Sequence, residues 1–289
     1  TWVAIRIPDD AIAAHANQAR IHKIPFGDKE NCIYEKDVVN VARENGWFKG
    51  KDKDFDFQKA YNPYDFSGLR ACEARVWSFF RTFDKNMDKY KKHIMGDASE
   101  EPMPLYIIPD RKVSLADVRE GMRNHYEGTE LSMTNDPGAG VYKVPYRWRP
   151  MTFKSEGREY FNERAIATQQ TGFVLIAQMR SWLPDAVGGI LWFGVDDANT
   201  AVLTPMYTSI TEIPECYRRG NGSMTEFSWT SAFWIHNWVA NMAYNRYEPM
   251  IRDIRPMQKE LEDSYVDLVK NTDAKALELL KSSPAQATA

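Results

Sequence analysis

Cysteine is scarce: Cys32, Cys72 and Cys216 are the only three in 289 residues. They stand far apart, no C-x-x-C or Cys/His spacing suggests zinc, and an odd number makes no closed disulfide framework. Cys72 falls in a helical pattern and reads as a small core residue. No apolar run approaches the roughly 18 residues needed to span a bilayer. Neither sign of charge dominates, with 37 Lys and Arg against 40 Asp and Glu and a net charge of −3. The basic residues are dispersed, so no nucleic-acid or anionic-membrane footprint appears. G-x-S-x-G, a phosphate-cradling loop and H-E-x-x-H are all missing, and "GNGSM" lacks the flanking elements such a loop needs. The alternating acids of "DKDFD" (52–56) suggest calcium, but a calcium loop needs Gly sixth and Glu twelfth, where this chain has Phe57 and Pro63. A solvated loop is expected there, and neither a metal nor a cofactor. His93, His125 and His236 lie on helices or their ends and read as packed or surface side chains.

The first residues, "TWVAIRI", contain no Met and no signal peptide, and the last are "SSPAQATA". The expectation is a segment of a longer protein, or processing at Thr1. An N-terminal Thr can be a nucleophile with its own amine as base. Thr1 runs straight into an apolar strand with no loop to present it, which favours the segment.

What is abundant is core material: 43% of residues are hydrophobic, with 9 Trp, 14 Tyr and 14 Phe. That composition suits a large globular domain and argues against disorder. Residues 1–21 predict a β-hairpin, with "WVAIRI" and "IAAHANQARI" as strands around the turn "PDDA". A short helix around "KDVVNVAREN" ends at Gly46. Leu69, Cys72, Val76, Phe80, Phe83 and Met87 form one stripe of a long helix over 67–95. Ser114 caps another helix, with Asp117 three residues on and Gly128 at its end. "NDPGAG" marks a turn. Three strands follow in "TQQTGFVLIAQMRSW", "GGILWFGVDD" and "AVLTPMY". The first is apolar at both alternating sets, so it is expected to be buried on both faces. "SAFWIHNWVANMAYNRYEP" predicts a buried helix stopped at Pro249, and a more polar helix closes the chain. No internal repeat appears. The fold class is α+β, antiparallel strands with helices on their outer faces.

Polar groups crowd one place. "HANQARIH" puts His15, Asn17, Gln18, Arg20 and His22 within eight positions beside a buried run. On strand parity His15 and Asn17 share a face, with Gln18 and Arg20 on the other. An Asn amide fixed on a strand can donate to a developing oxyanion, worth about 3 kcal/mol when preorganised; it can equally satisfy a turn or sheet edge. In "LRACEARVW", Arg70 and Glu73 border the apolar stripe on one side and are spaced to pair. Such a pair could hold a substrate group or could be purely structural; Arg75 points elsewhere. Gln169, Gln170, Gln178 and Arg180 sit in or beside a buried strand and need partners. Asp196 and Asp197 end the next strand, where a turn or an ammonium-binding site fits.

"TWVAIRIPDD…HANQARI", "YDFSGLRACEARVWSFFR", "PDRKVSLADVREGMRNHYEGT" and "ERAIATQQTGFVLIAQMRSWLPDAVGGILWFGVDD", continued by "ANTAVLTPMYTSITEIPECY", together resemble the N-terminal-cysteine dipeptidases of the dipeptidase A type, relatives of the secernins. The resemblance implies an N-terminal nucleophile (Ntn) hydrolase fold, with two antiparallel sheets stacked between helical layers. It implies metal-free dipeptide hydrolysis through an acyl-enzyme, by a cysteine whose free α-amine is the base. An Asn on a core strand would help form the oxyanion hole, which falls on Asn17. A supporting Arg falls on Arg70, with Arg75 next, and His15, Glu73 and Asp196 would contact substrate. No cysteine here matches the nucleophile, which would lie upstream or on another chain. Residues 1–289 would then be the C-terminal portion of one Ntn-like domain, with β-rich core at 1–25 and 140–220, mainly helix over 26–139, and C-terminal helices over 221–289.

The expected partners are a dipeptide, the nucleophile-bearing segment and, compatible with these, a second copy of the chain; neither nucleic acid nor membrane is expected. Alternatives are an Ntn amidase for acylated amino acids or bile salts, and a secernin-like protein without turnover. The compartment, cytoplasmic or extracytoplasmic, is not set by these residues, since any leader would lie upstream.

Overall fold

A computed structural model describes residues 1–147 and 152–283; the "PAQATA" end lies outside them. Helices and small antiparallel sheets make up the chain, an α+β arrangement. It divides into two compact units, Thr1–Asp117 with Arg149–Ala165, and Val118–Trp148 with Ile166–Ala289.

In the first unit the expected hairpin does not form. Strand β1 (Val3–Ile5) pairs with β3 (Cys32–Tyr34), and β2 (Ile12–Ala13) pairs with β4 (Tyr106–Ile107), both antiparallel. Pro8 offers no N–H to a ladder and its carbonyl instead closes a turn on Ala11 N at 3.1 Å. β2 stops after two residues because the chain bends over 16–18, where Asn17 adopts φ +63°. Asn62 holds this bend open to its own segment: its Oδ1 accepts from Ala19 N at 2.8 Å and its carbonyl from Gln18 Nε2 at 2.6 Å. Helix α1 (Val38–Glu44) turns its buried Val38, Val39 and Ala42 onto Ile24, Cys32 and Phe55. The second helix, α2 (Phe57–Tyr61), is capped by Asp56. "DKDFD" begins as a 3₁₀ turn (Asp52–Asp54), with Asp52 held by Arg43 at 2.5 Å.

The long helix expected over 67–95 is broken. It begins as a π-helical turn (Gly68–Glu73), continues as α3 (Ala74–Phe83), and stops at Asp84, whose backbone is extended. A 3₁₀ segment (Lys85–Tyr90) and the short α4 (Lys91–Ile94) follow. The apolar stripe survives in Leu69, Val76, Trp77, Phe80, Phe83 and Met87, all buried, while Cys72 is half-buried. Trp77 Nε1 ties the broken ends by donating to Met87 O at 2.8 Å. Strands β5 (Thr152–Ser155) and β6 (Arg158–Phe161) form an exposed hairpin.

The second unit is built on β7 (Phe173–Met179), β8 (Gly189–Val195) and β9 (Thr204–Tyr207), in that order and antiparallel. Around it lie α5 (Leu115–Met122), which the boundary crosses, α6 (Asp185–Gly188), α7 (Ala232–Asn245) and α8 (Tyr247–Ser282). The expected cap of α5 is present: Ser114 Oγ accepts from Asp117 N at 3.2 Å, while Asp117 Oδ2 accepts from Ser114 N at 2.7 Å. One sheet face is covered, with Val174, Ile190 and Trp192 buried and the Arg119 guanidinium 4.6 Å from the Trp192 ring. The other face corrects the expectation of burial on both sides. Phe173, Leu175 and Met179 on the edge strand β7 are 63%, 45% and 68% exposed. Its register neighbours Leu191, Phe193 and Val195 continue the same apolar surface. Likewise α7 leaves Phe233, Trp238 and Met242 exposed. It ends at Asn245, and Pro249 sits in the first turn of α8, where its missing N–H costs nothing. A buried ion pair fastens the residue after α5 to α8: Glu262 accepts from Arg123 Nη2 at 2.5 Å and from Leu203 N at 3.0 Å. Among the described residues, no helix is long and apolar enough to cross a membrane.

Candidate functional site

Asn17 lies exposed at the bend that ends β2, and the left-handed backbone there suits Asn better than most residues. Arg75, from the first turn of α3, donates to Asn17 Oδ1 from Nη2 at 2.9 Å and to Ala16 O at 3.3 Å. Its Nε is fixed on Ala71 O at 2.6 Å, and its Nη2 lies 3.8 Å from Cys72 Sγ. An arginine can only donate, so the atom it meets must be the amide oxygen. The Asn17 amide is thereby oriented, and Nδ2 makes no hydrogen bond among the described residues. Two N–H donors of fixed direction are left facing outward.

The expected Arg70–Glu73 pair does not form. The π turn inserts a residue into the helical count, so 100° per residue misplaces what each side chain meets across it. Arg70 is bound by Glu163, with its guanidinium 5.9 Å from the Phe66 ring. Glu73 is fully buried and accepts from Arg20 Nε at 2.9 and 3.2 Å. Arg20 also donates to Ala14 O, Pro104 O and Leu105 O at 3.2, 2.9 and 3.1 Å, so it locks both sides of the bend to the backbone before β4. Burial pushes the Glu73 carboxyl up, and Arg20 pulls it partly back. His15 is exposed and lines an open, mostly apolar cleft of about 490 Å³ with Ala14, Ala19, Phe57 and Leu105. His22 Nδ1 lies 3.0 Å from Asp56 Oδ2.

In the second unit, Asp196 and Asp197 are both buried after β8. Asp197 Oδ2 accepts from Thr200 N and Oγ1 at 3.0 and 2.9 Å, and its Oδ1 from Tyr244 OH at 3.2 Å. Tyr244 OH is 3.0 Å from His125 Nε2, and Asn199 Nδ2 lies 3.2 Å from His125 Nδ1. Asp196 Oδ1 accepts from Asn237 Nδ2 at 3.2 Å, and its Oδ2 has no hydrogen-bond partner among the described residues. Burial pushes both carboxyls up. Gln178 accepts from Trp192 Nε1 at 3.0 Å, and Arg180 is bound by Asp273 at 2.5 Å; both satisfy the sheet. Gln169 Nε2 donates to Asn241 Oδ1 at 2.9 Å. His93 packs edge-on to Tyr64 with ring centroids 5.0 Å apart. Among the described residues no cluster of three or more His, Cys, Asp or Glu could hold a metal ion.

Reasoning from sequence missed the partners Arg20 and Asn62. Parity already put Arg20 on the face away from Asn17, which was the one available sign that it turns inward.

The chain resembles three dipeptidases along most of its length. A probable dipeptidase of Latilactobacillus sakei is 26% identical over 277 residues, 96% of this chain and 52% of that protein. A probable dipeptidase of Salmonella dublin is 27% identical over 206 residues, 71% of this chain and 42% of that protein. Dipeptidase A of Lactobacillus helveticus is 22% identical over 267 residues, 91% and 48%. The chain thus spans about half the length of the curated relatives it matches. The model of peptidase family C69 matches residues 1–260, and the chain belongs to that family.

Proposed function

We propose that this chain is the scaffold and oxyanion side of a cysteine dipeptidase whose nucleophile lies outside these 289 residues. The observation that carries the reading is the Arg75–Asn17 bond, which takes up the amide oxygen and leaves the amide donors free. Such donors stabilise the negative oxygen of a tetrahedral intermediate because they are oriented before charge develops. In this reading a cysteine thiolate attacks the peptide carbonyl, Asn17 Nδ2 donates to the oxyanion, the amine leaves, and water releases the acyl group. Arg75 takes the supporting role rather than Arg70, whose guanidinium is already committed to Glu163. Glu73 acts indirectly, by holding Arg20 and with it the bend. His15, two residues before Asn17, lines the cleft, where it can contact the substrate.

The finer fold reading, an Ntn-type arrangement of two sheets between helical layers, is supported by the second unit's sheet. Val174, Ile190 and Trp192 are buried on one apolar face, while Phe173, Leu175 and Met179 on the other are largely exposed. A second sheet stacked about 10 Å away would bury it.

The test is Ala-Ala hydrolysis by the intact protein carrying Cys72→Ser, before and after thiol alkylation. Loss of turnover on alkylation is expected, because the nucleophile is a cysteine outside these residues, and Cys72→Ser removes the thiol beside Arg75 as the cause of that loss. Alkylation-resistant turnover, or turnover by the 289-residue chain by itself, overturns the proposal.

A further inference from the structure

The geometry points to Asp196 as the acceptor for the primary ammonium group of a small ligand. Asp196 follows β8 with φ +69°, and its N–H is fixed on Gly172 O at 2.9 Å. Left-handed backbone is strained for an aspartate and persists only where the surroundings hold it. The side chain is 5% exposed. Oδ1 accepts from Asn237 Nδ2 at 3.2 Å, and Oδ2 has no hydrogen-bond partner among the described residues.

The surroundings prepare this carboxylate without neutralising it. Asn241 Nδ2 donates to Asn237 Oδ1 at 3.1 Å, and Gln169 Nε2 donates to Asn241 Oδ1 at 2.9 Å. This amide chain passes its donors one way, toward Asp196, yet delivers a single hydrogen bond. No Lys or Arg forms an ion pair with Asp196 among the described residues. His236 is engaged at both ring nitrogens, with Nδ1 2.8 Å from Ala232 O and Nε2 accepting from Val202 N at 3.3 Å. The adjacent Asp197 is fully satisfied and adds negative charge. Protonating Asp196 leaves Oδ2 unmatched as a donor instead of an acceptor, so neither state satisfies it within the protein. Buried polar atoms are normally paired, so an unpaired buried carboxylate oxygen asks for a partner.

A group with positive charge and N–H donors fits both needs. A metal ion fits less well, since a single carboxylate oxygen is free and, among the described residues, no metal-type cluster surrounds it. The chemistry is common to a free amino acid and to the α-ammonium of a peptide. Dipeptide probes rest on the proposed hydrolase reading; the site itself does not.

The test measures binding to the intact protein by calorimetry and by thermal shift, with Ala-Ala, N-acetyl-Ala-Ala and L-alanine. Wild type is expected to bind Ala-Ala at least tenfold more tightly than the acetylated form, and Asp196→Asn to bind the two alike. L-Alanine binding as well as Ala-Ala identifies the amino acid as sufficient; much weaker binding makes the dipeptide the ligand. A wild type indifferent to acetylation overturns the inference without any variant. So does a folded Asp196→Asn protein that keeps the preference. Amine discrimination without turnover of either probe would sink the hydrolase reading alone, and turnover without discrimination the ammonium site alone.

Discussion

Arg75 Nη2 and Asn17 Oδ1 are 2.9 Å apart, and this bond joins the start of α3 to a bend 58 residues earlier. It decides which atoms of the amide face outward. In the proposed dipeptidase reading, Asn17→Ala removes the donors and is expected to lower kcat for Ala-Ala by about 10²–10³-fold, the size typical of one oxyanion donor. KM should change little. Steady-state kinetics on the intact protein checks both.

Arg75→Ala releases the amide to rotate and should lower kcat in the same direction, while Arg70→Ala should leave kcat within a few-fold of wild type. Arg70→Ala instead leaves Glu163 without its partner, so its effect is expected in the melting temperature. Comparing kcat and Tm for the two variants separates the arginines.

Arg20 and Glu73 form a buried pair in which neither charge reaches water. Removing one partner strands the other, so Glu73→Leu should cost about 3–5 kcal/mol, and Arg20→Met/Glu73→Leu together considerably less. Urea unfolding of both proteins gives the comparison.

Burial raises the Asp196 carboxyl above its ordinary 3.8. The folded state therefore holds this proton more tightly than the unfolded chain. The linked stability is fully present below about 3.8 and is lost as pH rises through the folded value. Asp196→Asn removes that loss, so it should raise Tm at pH 7 and raise it less toward pH 4. Melting curves across that range check the sign.

Ser114 and Asp117 satisfy each other's backbone N–H at the start of α5. Ser114→Ala should cost about 1 kcal/mol. Burial has little part in the Asp117 shift: Arg111 and the Ser114 donors hold its carboxyl well below the usual range. Its contribution is present above about 3.8 and falls away as pH drops toward the folded value. Asp117→Asn should therefore matter at pH 7 and progressively less in acid, as measured by Tm.

Local chemistry made several features readable from the chain alone. The apolar stripe of Leu69, Val76, Phe80 and Phe83 follows from helical spacing and is buried as expected. The Ser114–Asp117 cap needs only four consecutive residues. Asn17 stood out because small alanines flank it beside a core strand. Tertiary structure decided the rest, because the partners are remote. A π turn at Gly68–Glu73 changed the helical phase, sending Arg70 to Glu163 and placing Arg75 on Asn17. Glu73 found Arg20, 53 residues away, and no local period encodes such a pairing. The alternation of β7 was equally legible, but which face is covered depends on where α5 and α8 pack. Periodicity reports what a residue would bury, and only the assembled layers determine whether anything lies over it.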